Sequence, residues 1–269
     1  MNYRPLLLGC LLLLLPVASV RAQAAAPLCV GQTFEIKAKE LGETRRVNVY
    51  LPPGYTAATA QALPVLLMLD GGLAEDFLHV AGLVQVGVGN ETMRPFLLVG
   101  IENTERRRDL TGPTTQARDL KIAPRVGGSA AFRHFLRHEL LPEVRRRYRT
   151  TPETAVVGES LAGLFVVETL LLEPDLFDTY LAFDPSLWWN AGQLLTQAEA
   201  RLPTAPGPPK TLFLASSNET ELAAAIARLA RAAEANPRLR LRYAPLPTET
   251  HGTIYHPAAL LAFRWALAK

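Results

Sequence analysis

The sequence predicts an α/β fold, a mainly parallel sheet with helices on both faces and an antiparallel hairpin leading into it. Two observations carry that prediction. Residues 64–70, 95–101, 154–157, 179–183, 210–215 and 239–244 are short, mostly apolar runs, the pattern of strands buried on both faces. Between them lie longer stretches of helical character at 129–148, 161–172, 219–235 and 257–267. Strand alternating with helix is the order that lays strands parallel and covers them on both sides.

The elements follow in order. Residues 33–40 and 45–51 form the hairpin, joined by Leu41-Gly42-Glu43-Thr44. Residues 64–70 make an apolar strand that stops at Asp70-Gly71-Gly72, where glycine lets the backbone approach a neighbour closely. Residues 95–101 form the next strand, and residues 104–128 after it lack any clear period. A segment that long at the C-terminal end of a strand lies where open α/β sheets bind ligands. Residues 129–148 form a helix whose last turn, Arg145-Arg146-Arg147, suits a C-terminal dipole. Residues 154–157 run directly into a tight turn and the helix at 161–172. The proline-rich stretch 203–209 links a helix to the strand at 210–215. With no repeat and no low-complexity tail, the chain reads as one domain without a large cap.

The N-terminus reads as a secretory signal peptide: Arg4, an apolar stretch at 6–20, then Val20-Arg21-Ala22 with small residues where cleavage occurs. The stretch is broken by Pro16 and falls short of the roughly 20 residues that span a bilayer. We therefore expect a signal peptide at 1–22, a domain at 23–269, a periplasmic or secreted location, and no stable membrane insertion. Loss of Arg4 and Arg21 with the leader lowers the formal charge from +3 to +1, which gives a nucleic-acid partner no support. Cys10 leaves as well, so Cys29 has no internal disulfide partner.

The chemistry centres on Gly158-Glu159-Ser160-Leu161-Ala162-Gly163, between an apolar strand and a helix. A serine there stands clear of the backbone at the top of a sheet, with a helix N-terminus aimed where an oxyanion would form. The setting resembles the nucleophile elbow of the α/β-hydrolase fold, and Ser160 is the candidate nucleophile. Serine needs a base, and in that fold the order along the chain is serine, acid, histidine. His251, after the last strand and before the last helix, takes the base's place. For the acid we favour Glu219, after the strand at 210–215, with Glu221 close by and Asp184 as the alternative after the preceding strand. The oxyanion donors are expected from the N–H of Leu161 and from Gly71 or Gly72. His134 and His138 stand four apart on one helix but lack the intervening glutamate of a zinc protease, so they read as a solvated face. No metal and no cofactor are expected.

Several blocks resemble the esterase-D-like branch of the α/β hydrolases, which includes periplasmic siderophore-trilactone esterases. These are 65–72, Val99-Gly100-Ile101-Glu102-Asn103-Thr104 with Arg106, Arg108, Asp109, Leu110 and Thr111 behind it, 132–148, Asp184-Pro185-Ser186-Leu187-Trp188-Trp189-Asn190, and Glu249-Thr250-His251-Gly252. The resemblance implies Ser160 as nucleophile and His251 as base. The chain departs from it at Glu159, where the family usually has histidine, at Ala162, where it has glycine, and at Gly112, which separates Thr111 from Pro113.

Arg106 and Arg108 offer paired donors to an anionic substrate, and Trp188 and Trp189 offer surfaces for aromatic rings. Ferric catecholate siderophores are anionic aromatic esters and suit both features. Equally, Arg108 pairing with Asp109 would pin the loop, and the tryptophans would serve as core beneath it. The reading is an exported serine esterase acting on a small-molecule ester, with siderophore trilactones as the candidate class. The alternatives are a broad small-ester or feruloyl carboxylesterase, and a hydrolase fold that binds a ligand without catalysis.

Overall fold

The computed structural model describes residues 25–55 and 61–269. The expected signal peptide, with Cys10, lies outside the described residues; Cys29 is exposed. In chain order the elements are β1 Gln32–Ala38, β2 Glu43–Tyr50, β3 Leu63–Met68, α1 Phe77–Gly89, β4 Leu97–Ile101, α2 Arg106–Asp109, α3 Ala117–Leu120, α4 Ser129–Phe135, α5 Leu141–Arg147, β5 Thr150–Glu159, α6 Leu161–Leu172, β6 Thr179–Phe183, α7 Gln193–Arg201, β7 Lys210–Ser216, α8 Thr220–Glu234, β8 Leu239–Pro245 and α9 Tyr255–Ala266.

The strands form one sheet in the order β1-β2-β4-β3-β5-β6-β7-β8. β2 pairs antiparallel with both β1 and β4, and every pairing from β4 through β8 is parallel. The fold is that of an α/β hydrolase. β3, β4 and β6 are buried at every position, as their unbroken apolar sequences require. Two apolar cores result. One packs α4 through α8 against one face through Phe132, Phe135, Leu164, Phe165 and Ile226. The other packs α1 and α9 on the opposite face through Phe77, Val80, Phe183, Ala258 and Phe263.

Two elements differ from the sequence expectation. The helix expected over 129–148 is interrupted at Leu136–Leu140 by a turn of π-helix. Pro142 explains it, because proline has no N–H to donate and its ring crowds the carbonyl four residues back. The aperiodic stretch 104–128 contains the single helical turns α2 and α3.

That stretch is held by buried charge. Arg45, on β2, is fully buried; its guanidinium donates to Asp109, Glu43, Thr104 Oγ1 and the carbonyl of Glu102, and stacks over Phe132. Arg108 donates to Asp109 Oδ1 at 2.6 Å and Glu43 Oε1 at 2.8 Å. Burial alone would push Glu43 up, yet hydrogen bonds from Arg108, Thr104 and Arg45 hold its carboxyl down at about 2. Removing Arg45 would strand Asp109 as a buried anion with only Arg108 beside it. Arg45→Met is expected to destabilise the fold by about 3–5 kcal/mol in urea unfolding. Arg46→Met, on an exposed neighbouring side chain, should stay within about 0.5 kcal/mol.

Candidate active site

β5 ends at Glu159 and α6 begins at Leu161, so Ser160 alone makes the turn. It does so at φ 59° and ψ −119°, a conformation that L-residues adopt only under constraint. The constraint is visible on both sides. Ser160 N–H donates to Phe183 O at 3.0 Å, and Ser160 O accepts from Ser186 N–H at 3.0 Å. The turn also demands a small residue two places earlier: a Cβ on Gly158 would lie 2.6 Å from the Cβ of Ala162.

Ser160 Oγ stands 2.9 Å from His251 Nε2, and His251 Nδ1 stands 2.7 Å from Asp184 Oδ2. A carboxylate only accepts, so Nδ1 carries the ring proton and Nε2 is free to accept from Ser160. Asp184 is completely buried just beyond β6. It takes further hydrogen bonds from Ser217 N–H to Oδ1 at 2.8 Å and from Ser217 Oγ to Oδ2 at 2.7 Å. Burial pushes its carboxyl up, but the donors His251 and Ser217 outweigh burial and hold it below its ordinary range. His251 moves upward, chiefly through its bond to Asp184, with the charges of Glu159 close by and Glu219 further off adding to it against the effect of burial.

The favoured acid is therefore corrected. Glu219 precedes α8 in an extended, exposed position; its N–H donates to Ser217 Oγ, and it reaches His251 only as a distant charge. The carboxylate that bonds the imidazole is Asp184, which leaves β6 at φ 44°. Ser217 went unrecognised in the sequence, although a small polar residue directly after β7 is the position from which to reach across to β6. Ser186, with Oγ 3.3 Å from Ser160 Oγ, stood within the resembling block at 184–190 but was given no role.

The oxyanion donors are revised in part. Leu161 N–H, as the first amide of α6, has no acceptor within the helix. Gly71 N–H is already spent on Ile101 O at 2.8 Å, and Gly72 N–H donates to Glu75 Oε2 at 2.7 Å. Gly71 serves packing instead: a Cβ there would lie 2.3 Å from the backbone of Gly100 and Ile101 on β4.

The proposed substrate contacts are mostly committed to the fold. Arg106 is paired in two-pronged fashion with Asp70, Nε to Oδ1 at 2.6 Å and Nη2 to Oδ2 at 2.8 Å. Arg108 belongs to the Arg45 network, so its role is to pin the loop. Trp189 is buried and donates its Nε1 to Gly112 O at 2.9 Å, anchoring the segment after β6 to the loop. Trp188 alone is exposed, at 37%, with Arg118 over its ring.

Among the described residues, no group of three or more histidine, cysteine, aspartate or glutamate side chains is placed to hold a metal, and His134 instead meets Glu40 at 3.2 Å. Among the same residues no helix is long and apolar enough to cross a membrane.

Comparison with known proteins places this site in context. A family model described as "Putative esterase" matches residues 38–242. The chain is 31% identical to the ferri-bacillibactin esterase of Bacillus subtilis over 58% of its own length and 59% of that protein. It is also 31% identical to the apo-salmochelin esterase of Escherichia coli, over 58% of its own length and 52% of that protein. It thus spans little more than half the length of these curated relatives. Among solved structures, an IroE-like serine hydrolase from Shewanella oneidensis superposes with a TM-score of 0.80 at 30% identity, over 88% of this chain and 80% of that one.

If Asp184 is what raises the His251 pKa, Asp184→Asn should lower it towards its ordinary value. Glu219→Gln should move it by less than about half a unit. Titration of the His251 ring protons by NMR reads both.

Proposed function

The chain belongs to the Esterase family, and from that premise we propose that it is an exported serine esterase cleaving carboxylic esters through an acyl-enzyme, with siderophore trilactones as the substrate class. The observation that carries the reading is the unbroken line from Asp184 through His251 to the Ser160 hydroxyl at the head of α6. Ser160 Oγ attacks the ester carbon while its proton passes to His251 Nε2. Asp184 stabilises the imidazolium without becoming protonated. The carbonyl oxygen gains its charge beside Leu161 N–H and the positive end of α6. His251 then returns the proton to the departing alkoxide, leaving the acyl group on Ser160 until water releases it as the acid.

The siderophore class is supported by the names of the relatives, an esterase of ferri-bacillibactin and one of apo-salmochelin. Export is supported by the leader-like sequence of residues 1–22, and recovery of a chain starting at Gln23 from the periplasmic or culture fraction would test it. One observation favours a second reading, hydrolysis of small uncharged or feruloyl esters. Arg106 is neutralised by Asp70, and Arg108 by Glu43 and Asp109. The charge expected to attract a polyanionic ferric catecholate is therefore spent within the fold.

The decisive experiment is chromatography of a catecholate trilactone, iron-free and ferric, incubated with native protein and with Ser160→Ala. The native protein should open the trilactone, and Ser160→Ala should lower the rate by about a thousandfold or more. Opening that persists undiminished in Ser160→Ala would refute the assignment of the nucleophile. Hydrolysis confined to nitrophenyl esters would select the small-ester reading.

A further inference from the structure

Glu159 stands against the catalytic pair, yet none of the steps above uses it. Its side chain is only 17% exposed, and Oε1 lies 3.3 Å from His251 Nε2. That oxygen is buried and takes part in no hydrogen bond with any described residue. Ser160 Oγ, at 2.9 Å, is the hydrogen-bonded partner of the same ring nitrogen. Two oxygens thus crowd one nitrogen that can share a single proton, and in the resting enzyme Ser160 has it.

Acylation changes this arrangement. Once Ser160 Oγ is an ester it has no proton to share, and Nε2 must instead face the water that attacks the acyl carbon. Part of the Glu159 side chain stays exposed, so a water hydrogen-bonded to Nε2 can also reach its carboxylate, one oxygen of which lies 3.3 Å from the same nitrogen. We propose that Glu159 positions the hydrolytic water of the acyl-enzyme, its carboxylate accepting the O–H that does not go to His251. The inference rests on the esterase reading. In the step, the water oxygen bonds to the acyl carbon and one water proton passes to Nε2. As the bond from the acyl carbon to Ser160 Oγ breaks, His251 hands that proton to Oγ. The other proton leaves with the carboxylic acid, and Glu159 neither gains nor loses one.

The surroundings keep Glu159 able to accept. Burial lifts its carboxyl to about 7, with Asp70 and Asp184 acting in the same direction, while His251 and Arg106 pull it down. From α9, Tyr255 is the further titratable group that senses its charge. A share of the molecules at neutral pH therefore carries the ionised carboxylate, the stronger acceptor.

The test uses p-nitrophenyl butyrate in water containing methanol, comparing the native protein with Glu159→Ala and Glu159→Gln. Methanol has one O–H, which goes to His251, so its attack does not need Glu159. In Glu159→Ala the ratio of methyl butyrate to butyrate should rise about tenfold, with the rate of the initial nitrophenol burst, which reads acylation, falling less than about threefold. Glu159→Gln, which keeps an acceptor oxygen and the side-chain volume, should lie between. An unchanged product ratio in both variants, with Ser160 still labelled by a fluorophosphonate, would overturn the proposal and leave the esterase reading standing. Native protein without Ser160-dependent turnover would overturn both.

Discussion

Everything at this site depends on a pair of backbone hydrogen bonds that lash the end of β5 to the end of β6. Ser160 gives its N–H to Phe183 and takes one from Ser186. Those bonds hold the serine in a conformation it would otherwise leave, and they set Asp184 one residue from the same junction. Ser160 and Asp184 are thus fixed to each other through main chain before any side chain contributes. His251, arriving from beyond β8, then bridges two groups already in place, which limits the ordering entropy lost on forming the hydrogen-bonded line.

The arginine-rich loop obeys a different economy. Arg45, Arg108, Asp109 and Glu43 satisfy one another below the surface, and Arg106 closes on Asp70. A buried ion pair of this kind adds little net stability against a well-packed apolar equivalent, because desolvation offsets its attraction. Its effect is positional: a segment with little regular structure acquires one arrangement over β3 and β4. The cost is that cations that looked available for a substrate are already engaged.

The sequence made the sheet legible because β3, β4 and β6 are buried on both faces and say so in unbroken apolar runs. Ser160 and His251 were equally legible, since a turn that tight and a loop at that place in the chain admit few alternatives. The acid was not. Glu219 and Asp184 both follow strands in the right half of the sheet, and what separates them is the backbone leaving each strand. Asp184 turns back at positive φ towards His251, whereas Glu219 continues outward into α8. The pairing of Arg106 with Asp70, 36 positions apart, was invisible for the related reason that charge partners across a loop leave no periodic trace.

β8 is the sheet's last strand, bonded to β7 alone, and the segment that carries His251 hangs from its end. The segment is tied back through Leu246 N–H to Ser216 O and Asn218 N–H to Glu249 O. Ser160, by contrast, grows from the middle of the sheet, at the end of the strand between β3 and β6. Edge elements open at lower free energy than central ones. The mooring of the imidazole therefore lies where the sheet opens most readily, and that of the serine where it opens least.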